Sequence, residues 1–491
     1  MDYDILIIGG GINGAAIARE AALLDRKVLL VERDDLASAT SSASTKLIHG
    51  GLRYLEYYEF GLVREALKER ERLLAAAPHL IRPMRFALPH ADRLRPWWLV
   101  RLGLMLYDRL GGPTSLPRSR GWGEADGAIR APLKGPAVRG FLYSDAWVDD
   151  ARLVVLNARD AADNGATILT RTALTGARRI DGGWQATLSD GRNVTARAIV
   201  NAAGPWVTEA LRLTGANAAA GIRLVKGSHI VVPAQYRGDH AYMLQQPDRR
   251  IVFAIPYLDD KLLIGTTDVP VERPEDARID AGEIDYLLGA ANRWFTPQLG
   301  REDVLWTYSG VRALYDDGAS EARAVTRDYV LELDTAGAPI LSVFGGKITT
   351  ARRLAEDALA KLGPAIGIDA HPVSRARVLP GGYVAAFGDF LGDIRTRYPF
   401  LGEARAERMA RAYGSLLYDM LGDATDAAAL GEDLGGGLGT RELDWLATHE
   451  WARTAEDVLW RRTKLGIGAP AETAGRIERY LAERDAIAAQ P

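Results

Sequence analysis

The 491-residue chain has no cysteine. Disulfides, thiolate nucleophiles, thiolate metal sites and iron–sulfur clusters of its own are therefore excluded. Histidine is scarce, with seven in all, and no metal site is expected. Excess charge of one sign is also missing. The 61 Lys and Arg stand against 64 Asp and Glu, and the net −3 gives no reason to expect a nucleic-acid partner. No window reaches the roughly 18 apolar residues of a membrane-spanning helix. The first strand begins almost at once, leaving no room for a signal peptide. The expected location is the cytoplasm or the cytoplasmic face of the membrane. No internal repeat is evident. What remains is an ordinary soluble composition, 47% hydrophobic and 25% charged, long enough for two or three domains.

Against these absences stands one dense stretch, residues 4–33, DILIIGGGINGAAIAREAALLDRKVLLVER. A buried strand runs into Gly9, Gly11 and Gly14, a helical pattern follows, and a second apolar strand ends at Glu32 and Arg33. This is the pattern of a Rossmann-type α/β unit that binds a dinucleotide. Gly9 permits the tight turn, Gly11 lets the backbone approach a pyrophosphate, and Gly14 lets helix and strand pack closely. Ile12 and Asn13 open the helix, whose N-terminus offers N–H groups to phosphate. Glu32 is placed to accept from ribose hydroxyls. The polar stretch 34–45, DDLASATSSAST, then brings Thr40, Ser41, Ser42 and Thr45 to the same ligand, with Lys46 behind them.

The next stretch, KLIHGGLRYLEYYEF, places His49 before the pair Gly50-Gly51, where backbone can approach a flat ring, and Arg53 and Tyr54 just after it. SSASTKLIHGGLRYLE, with the opening motif, resembles the FAD-dependent glycerol-3-phosphate dehydrogenases. These belong to the superfamily of glycine oxidase and D-amino acid oxidase. KGSHIVV, GTTD, GVRAL, RDY, FGGKITT and RRTKLG extend the likeness to about residue 467. The resemblance implies FAD as cofactor, sn-glycerol 3-phosphate as substrate, a membrane quinone as electron acceptor and attachment to the cytoplasmic membrane surface. A homodimer is left open.

Three further features support that outline. Residues 94–110, LRPWWLVRLGLMLYDRL, read as a helix whose Trp97, Trp98, Leu102, Met105 and Leu106 share much of one face, suited to a membrane interface or to a core or dimer contact. NAAGPW gives a strand followed by Ala203, Gly204 and Trp206, expected beside the adenine half of the cofactor. FGGKITT gives a third strand–glycine–helix element, in which Gly346, Lys347, Ile348 and Thr349 are expected at the flavin. The predicted fold is a Rossmann-type FAD-binding domain (1–75, 145–220 and 335–362) with a mixed-sheet substrate domain (76–144 and 221–334). An all-α C-terminal domain (380–491) carries no obvious chemistry.

The substrate side needs a phosphate clamp, for which Arg offers a fork of donors and Lys a point charge. Arg53, Arg312, Arg327 and Lys347 lie on separate elements that the resemblance brings together. A base is needed for the hydroxyl proton. His229, in KGSH, is the expected base, with Arg312 and Lys347 also in catalytic roles. His49 is the second histidine candidate, as a flavin contact or a covalent link. Tyr54 and Thr267 are expected at the substrate hydroxyls. Three alternatives stay open: a glycerol-3-phosphate oxidase using oxygen, an amine or amino-acid oxidase of the same fold, and a flavin-binding module without turnover.

Overall fold

The computed structural model describes residues 1–90, 96–135, 139–216, 221–258, 260–316 and 328–488. The opening motif forms β1 (Tyr3–Ile8), α1 (Ile12–Ala22) and β2 (Val28–Val31). Strand β1 is the centre of the first sheet because its Ile5, Leu6 and Ile7 are fully buried, which a strand covered on both faces requires. It pairs in parallel with β2 on one side and with Asn193–Asn201 on the other. Beyond these lie Thr167–Leu169 and Ile340–Phe344, also parallel. Helices α1, Asp150–Asp163 and Ala351–Ile366 contribute to one core with this sheet.

The second sheet is mixed. Strand Gly221–Pro233 pairs antiparallel with Lys261–Gly265 and with the long Trp306–Asp316, and Ile81–His90 pairs antiparallel with Arg139–Val148. The short strand Leu47–Ile48 pairs on the far edge. The chain therefore enters the second sheet immediately after the polar 34–45 stretch, which bridges the two sheets.

The expected α/β architecture with a helical C-terminal part is present. Several boundaries are corrected. Residues 330–334, expected in the substrate domain, pair instead as Val330–Asp334 with Ile340–Phe344, an antiparallel pair at the edge of the first sheet. The turn between them is held by Ala336 N–H donating to Asp334. Residues 145–148 complete a strand of the second sheet. The last helix of the first sheet runs through Pro364 to Ile366, beyond the expected domain end at 362, and stops at Gly367, φ 66°. In the helical C-terminal part, Gly402–Tyr413 ends at Gly414, where φ is 54° and a Cβ would lie 2.0 Å from the Gly381 carbonyl oxygen.

Of the expected interfacial helix, Leu94 and Arg95 lie outside the described residues, and the helix spans Trp97–Leu110. Trp98, Leu102, Met105 and Leu106 are exposed. Trp97 is not with them: it turns inward and stacks on Phe141 at 3.9 Å.

Candidate active site

Strand β1 delivers Gly9 at φ 108°, and a Cβ there would sit 2.6 Å from the Ala202 carbonyl oxygen. At Gly14 a Cβ would sit 1.9 Å from the Gly9 carbonyl oxygen, so only glycine lets α1 pack on the turn. Gly11 caps α1 with no side-chain hydrogen bond. Ser41 Oγ accepts from Ile12 N–H at 3.0 Å, tying the polar stretch to the helix start. Glu32 accepts from Gly10 N–H at 2.6 Å and from Asp34 N–H at 2.9 Å. Burial pushes its carboxyl pKa up, and those two N–H donors oppose the shift.

The third glycine element closes on the first. Asn13 Nδ2 donates to the Gly345 carbonyl at 3.1 Å, and Gly346, φ 97°, lies against the same amide. Asn13 Oδ1 is buried without a protein partner. The NAAGPW turn adds a third wall: Gly204 takes φ 56°, and Arg33 lies over the Trp206 ring at 4.0 Å. A glycine cradle with no room for side chains, an uncapped helix N-terminus, the Glu32 carboxylate and an orphaned amide oxygen fit a dinucleotide. The residues above could hold it.

The polar stretch also reaches the second sheet. Thr40 Oγ1 donates to the Val311 carbonyl at 2.7 Å, and Ser42 Oγ donates to Ala39. Thr45 Oγ1 lies 3.1 Å from His229 Nε2. Lys46, expected at the cofactor, turns its ammonium inward instead. It is 1% exposed and binds Asp150 at 2.7 Å.

The residues expected on the substrate side fall into two groups. His229 and Tyr308 face each other across Gly221–Pro233 and Trp306–Asp316, and their rings stack at 4.7 Å. Arg312 follows on the same face of its strand. It pairs with Asp268, and its Nη2 is 3.4 Å from Thr266 Oγ1. The second group is Lys347, whose Nζ sits over the Tyr54 ring at 4.1 Å. Next to it are His49, whose backbone N–H donates to Thr349 Oγ1, and Gly51, φ 74°, against the Tyr54 ring. Arg53 Nη2 reaches Tyr57 OH at 3.5 Å, and its Nε is buried without a partner. Gly50 N–H donates to Tyr107 OH, and Ile48 lies in the short edge strand. Ile348 opens the short helical turn that leads into Ala351–Ile366. Arg327 lies outside the described residues.

Electrostatics separates the two histidines only in degree. Burial lowers the His229 pKa well below 6.5, and the charges of Arg312 and Lys46 push the same way. Burial also lowers His49, opposed by Asp145 and reinforced by Lys347. Both imidazoles are therefore held neutral. His229 Nδ1 is buried and has no hydrogen-bond partner.

Thr267 is corrected. It is 1% exposed, donates to Glu283 at 2.6 Å and accepts from Ser228 N–H at 2.9 Å. Its hydroxyl is committed behind the strand, and Thr266 is the threonine beside Arg312. Tyr308, Thr266 and Asp268 were missed. A signal existed for Tyr308, since positions 308, 310 and 312 share one strand face.

The comparisons agree with this geometry. The family described as "FAD dependent oxidoreductase" matches residues 4–352, and the "C-terminal domain of alpha-glycerophosphate oxidase" matches 373–483. The chain is 51% identical to the D-erythritol 1-phosphate dehydrogenase of Brucella abortus over 94% of both chains. It is 50% identical to the aerobic glycerol-3-phosphate dehydrogenase of Escherichia coli, covering 98% of this chain and 97% of that one. The solved glycerol-3-phosphate dehydrogenase of Bacillus halodurans with FAD superposes with TM-score 0.77 at 26% identity, covering 99% of this chain and 91% of that one. The chain is thus an FAD-dependent oxidoreductase and belongs to the family of the FAD-dependent glycerol-3-phosphate dehydrogenases.

Proposed function

We propose that this chain oxidises sn-glycerol 3-phosphate at C2 to dihydroxyacetone phosphate and passes the electrons to a membrane quinone. The observation that carries the reading is a neutral, buried His229 and the cation Arg312 on adjacent strands, with His229 against Thr45 of the polar cofactor loop, residues 34–45. FAD, when bound, supplies the two-electron acceptor. The chain's own residues do the rest. Arg312, Lys347 and Arg53 bind the phosphate, and Tyr54 orients the carbon chain against Lys347. In the tautomer that donates Nε2–H to Thr45 Oγ1, His229 Nδ1 carries the free lone pair and takes the C2 hydroxyl proton. The turn Ile348–Thr350 has no side-chain cap at Lys347, a location suited to developing negative charge on a bound cofactor.

Anaerobic mixing with glycerol 3-phosphate bleaches the visible flavin absorbance under this reading. Bleaching only by unphosphorylated glycerol or by an amino acid overturns it. A second reading is raised by one relative at 51% identity that is named for D-erythritol 1-phosphate. Both compounds present a phosphomonoester and a secondary alcohol to the same cations. The substrate with the higher kcat/KM in parallel titrations decides between them. Peroxide yield in air separates a quinone-linked enzyme from an oxidase.

Attachment to a membrane surface rests on exposed apolar residues of adjoining segments. Tyr58 is 80% exposed and Trp98 66%, with Phe60 and Leu102 also open to solvent. Among the described residues no helix is long and apolar enough to cross a membrane. Replacing Trp98 and Leu102 by Ser is expected to release the protein from phospholipid vesicles. Wild-type protein that never binds vesicles refutes the attachment.

A further inference from the structure

The motif RRTKLG belongs to the C-terminal domain, which has its own core of residues such as Met409, Leu421, Leu446 and Val458. A domain used only for packing has no need to reach the cofactor loop, yet segment 457–464 does so by two separate routes. The first is ionic. Asp35 lies three residues after Glu32 and is 1% exposed. Its carboxylate receives Arg461 Nε at 2.7 Å and Arg462 Nη1 and Nη2 at 2.8 and 2.7 Å. Two residues on, Ala37 N–H donates to the Gly10 carbonyl, so the clamp is coupled to the glycine turn.

The second route is aromatic. Trp460 stacks on Trp306 at 4.6 Å and 18°. Trp306 packs on Tyr308 at 5.1 Å, and Tyr308 stacks on His229 at 4.7 Å. Tyr308 OH donates to the Ser44 carbonyl at 2.8 Å, so this route ends on the cofactor loop as well. Lys464 adds a parallel contact. It lies 3.1 Å from Asp149, while the neighbouring Asp150 holds Lys46.

We propose that Trp460, Arg461 and Arg462 are positioning residues through which the C-terminal domain sets the cofactor loop and the ring of His229. None of them reaches the glycine turn or the loop hydroxyls directly; each acts through Asp35 or through Trp306 and Tyr308. A buried carboxylate held by two guanidiniums is costly to leave unpaired, so the docked geometry is strongly preferred once formed. The aromatic stack fixes ring planes rather than merely filling volume. The inference rests on His229 as the base, but its ionic half can be read without turnover.

The experiment uses the full chain with FAD. Trp460→Leu keeps an apolar side chain and is expected to lower kcat about tenfold while KM changes less than about twofold. Trp460→Phe restores most of the loss. Arg462→Lys keeps the charge but loses the fork, and is expected to weaken FAD binding about tenfold by fluorescence titration. Asp35→Asn is the isosteric second variant and should weaken FAD binding in the same direction. Unchanged kcat in Trp460→Leu together with unchanged FAD affinity in Arg462→Lys and Asp35→Asn overturns the proposal, whatever happens to the melting temperature. If the wild type does not turn over glycerol 3-phosphate, the functional reading fails. The FAD titrations still decide the positioning role in that case.

Discussion

The two ends of the site are built from different materials. At the pyrophosphate end the backbone does the work, and glycine is required because side chains would collide. At the proposed substrate end the residues sit on ordinary strands and a turn, and the proposed chemistry rests on side chains, His229 and Arg312 on adjacent strands and Lys347 on a separate turn. The first kind of site tolerates almost no added atom. The second tolerates shape changes but not loss of charge or of a lone pair.

That contrast breaks most visibly at Gly14. Gly14→Ala puts a Cβ 1.9 Å from a carbonyl oxygen, and the expected outcome is protein purified without FAD, checked by its visible spectrum. Retention of normal FAD would show that the turn has slack. Next comes the base: His229→Asn should lower kcat by about 10²–10⁴ while FAD stays bound, as stopped-flow reduction can measure. Arg312→Ala should cost about 10²–10³ in kcat/KM, with FAD affinity nearly unchanged. Equal loss of both would place Arg312 at the wrong end. For the pH profile, the active form of His229 is neutral and its pKa is lowered. The acid limb of kcat/KM should therefore lie well below pH 6.5, and a limb at or above that value contradicts the assignment.

The smallest effect concerns stability away from both ends. His79 is fully buried with neither ring nitrogen paired, and burial with Arg152 and Arg411 nearby pulls its pKa down to about 3. The folded pKa lies below the ordinary 6.5, so stability is complete above that value and falls as pH drops toward about 3. His79→Leu should reduce the loss of melting temperature between about pH 7.5 and about pH 5.

The same contrast explains what could be read from the sequence. Glycine spacing and apolar strands are local signals, so the first sheet and its cofactor loop were legible down to Ser41 and Glu32. Strand-face periodicity does not say which threonine of GTTD turns outward, and the buried Glu283 that captures Thr267 lies on a distant helix. Lys46 was expected at the cofactor because Asp150, its partner, is 104 residues away. Trp97 and Trp98 are adjacent, and only the position of Phe141 decides which one turns inward. The C-terminal break at Gly414 answers to its close approach to Gly381 rather than to local propensity.

The hydrogen bond from Asn13 to Gly345 spans 332 residues, and the clamp from Asp35 to Arg462 spans 427. A ribosome adding roughly 5–20 residues per second needs on the order of tens of seconds between the two partners of either contact. The nascent chain thus exposes its glycine turn long before the walls of the pocket exist. Cofactor capture is therefore a late, nearly post-translational event, and contacts of such high sequence separation make it a slow one.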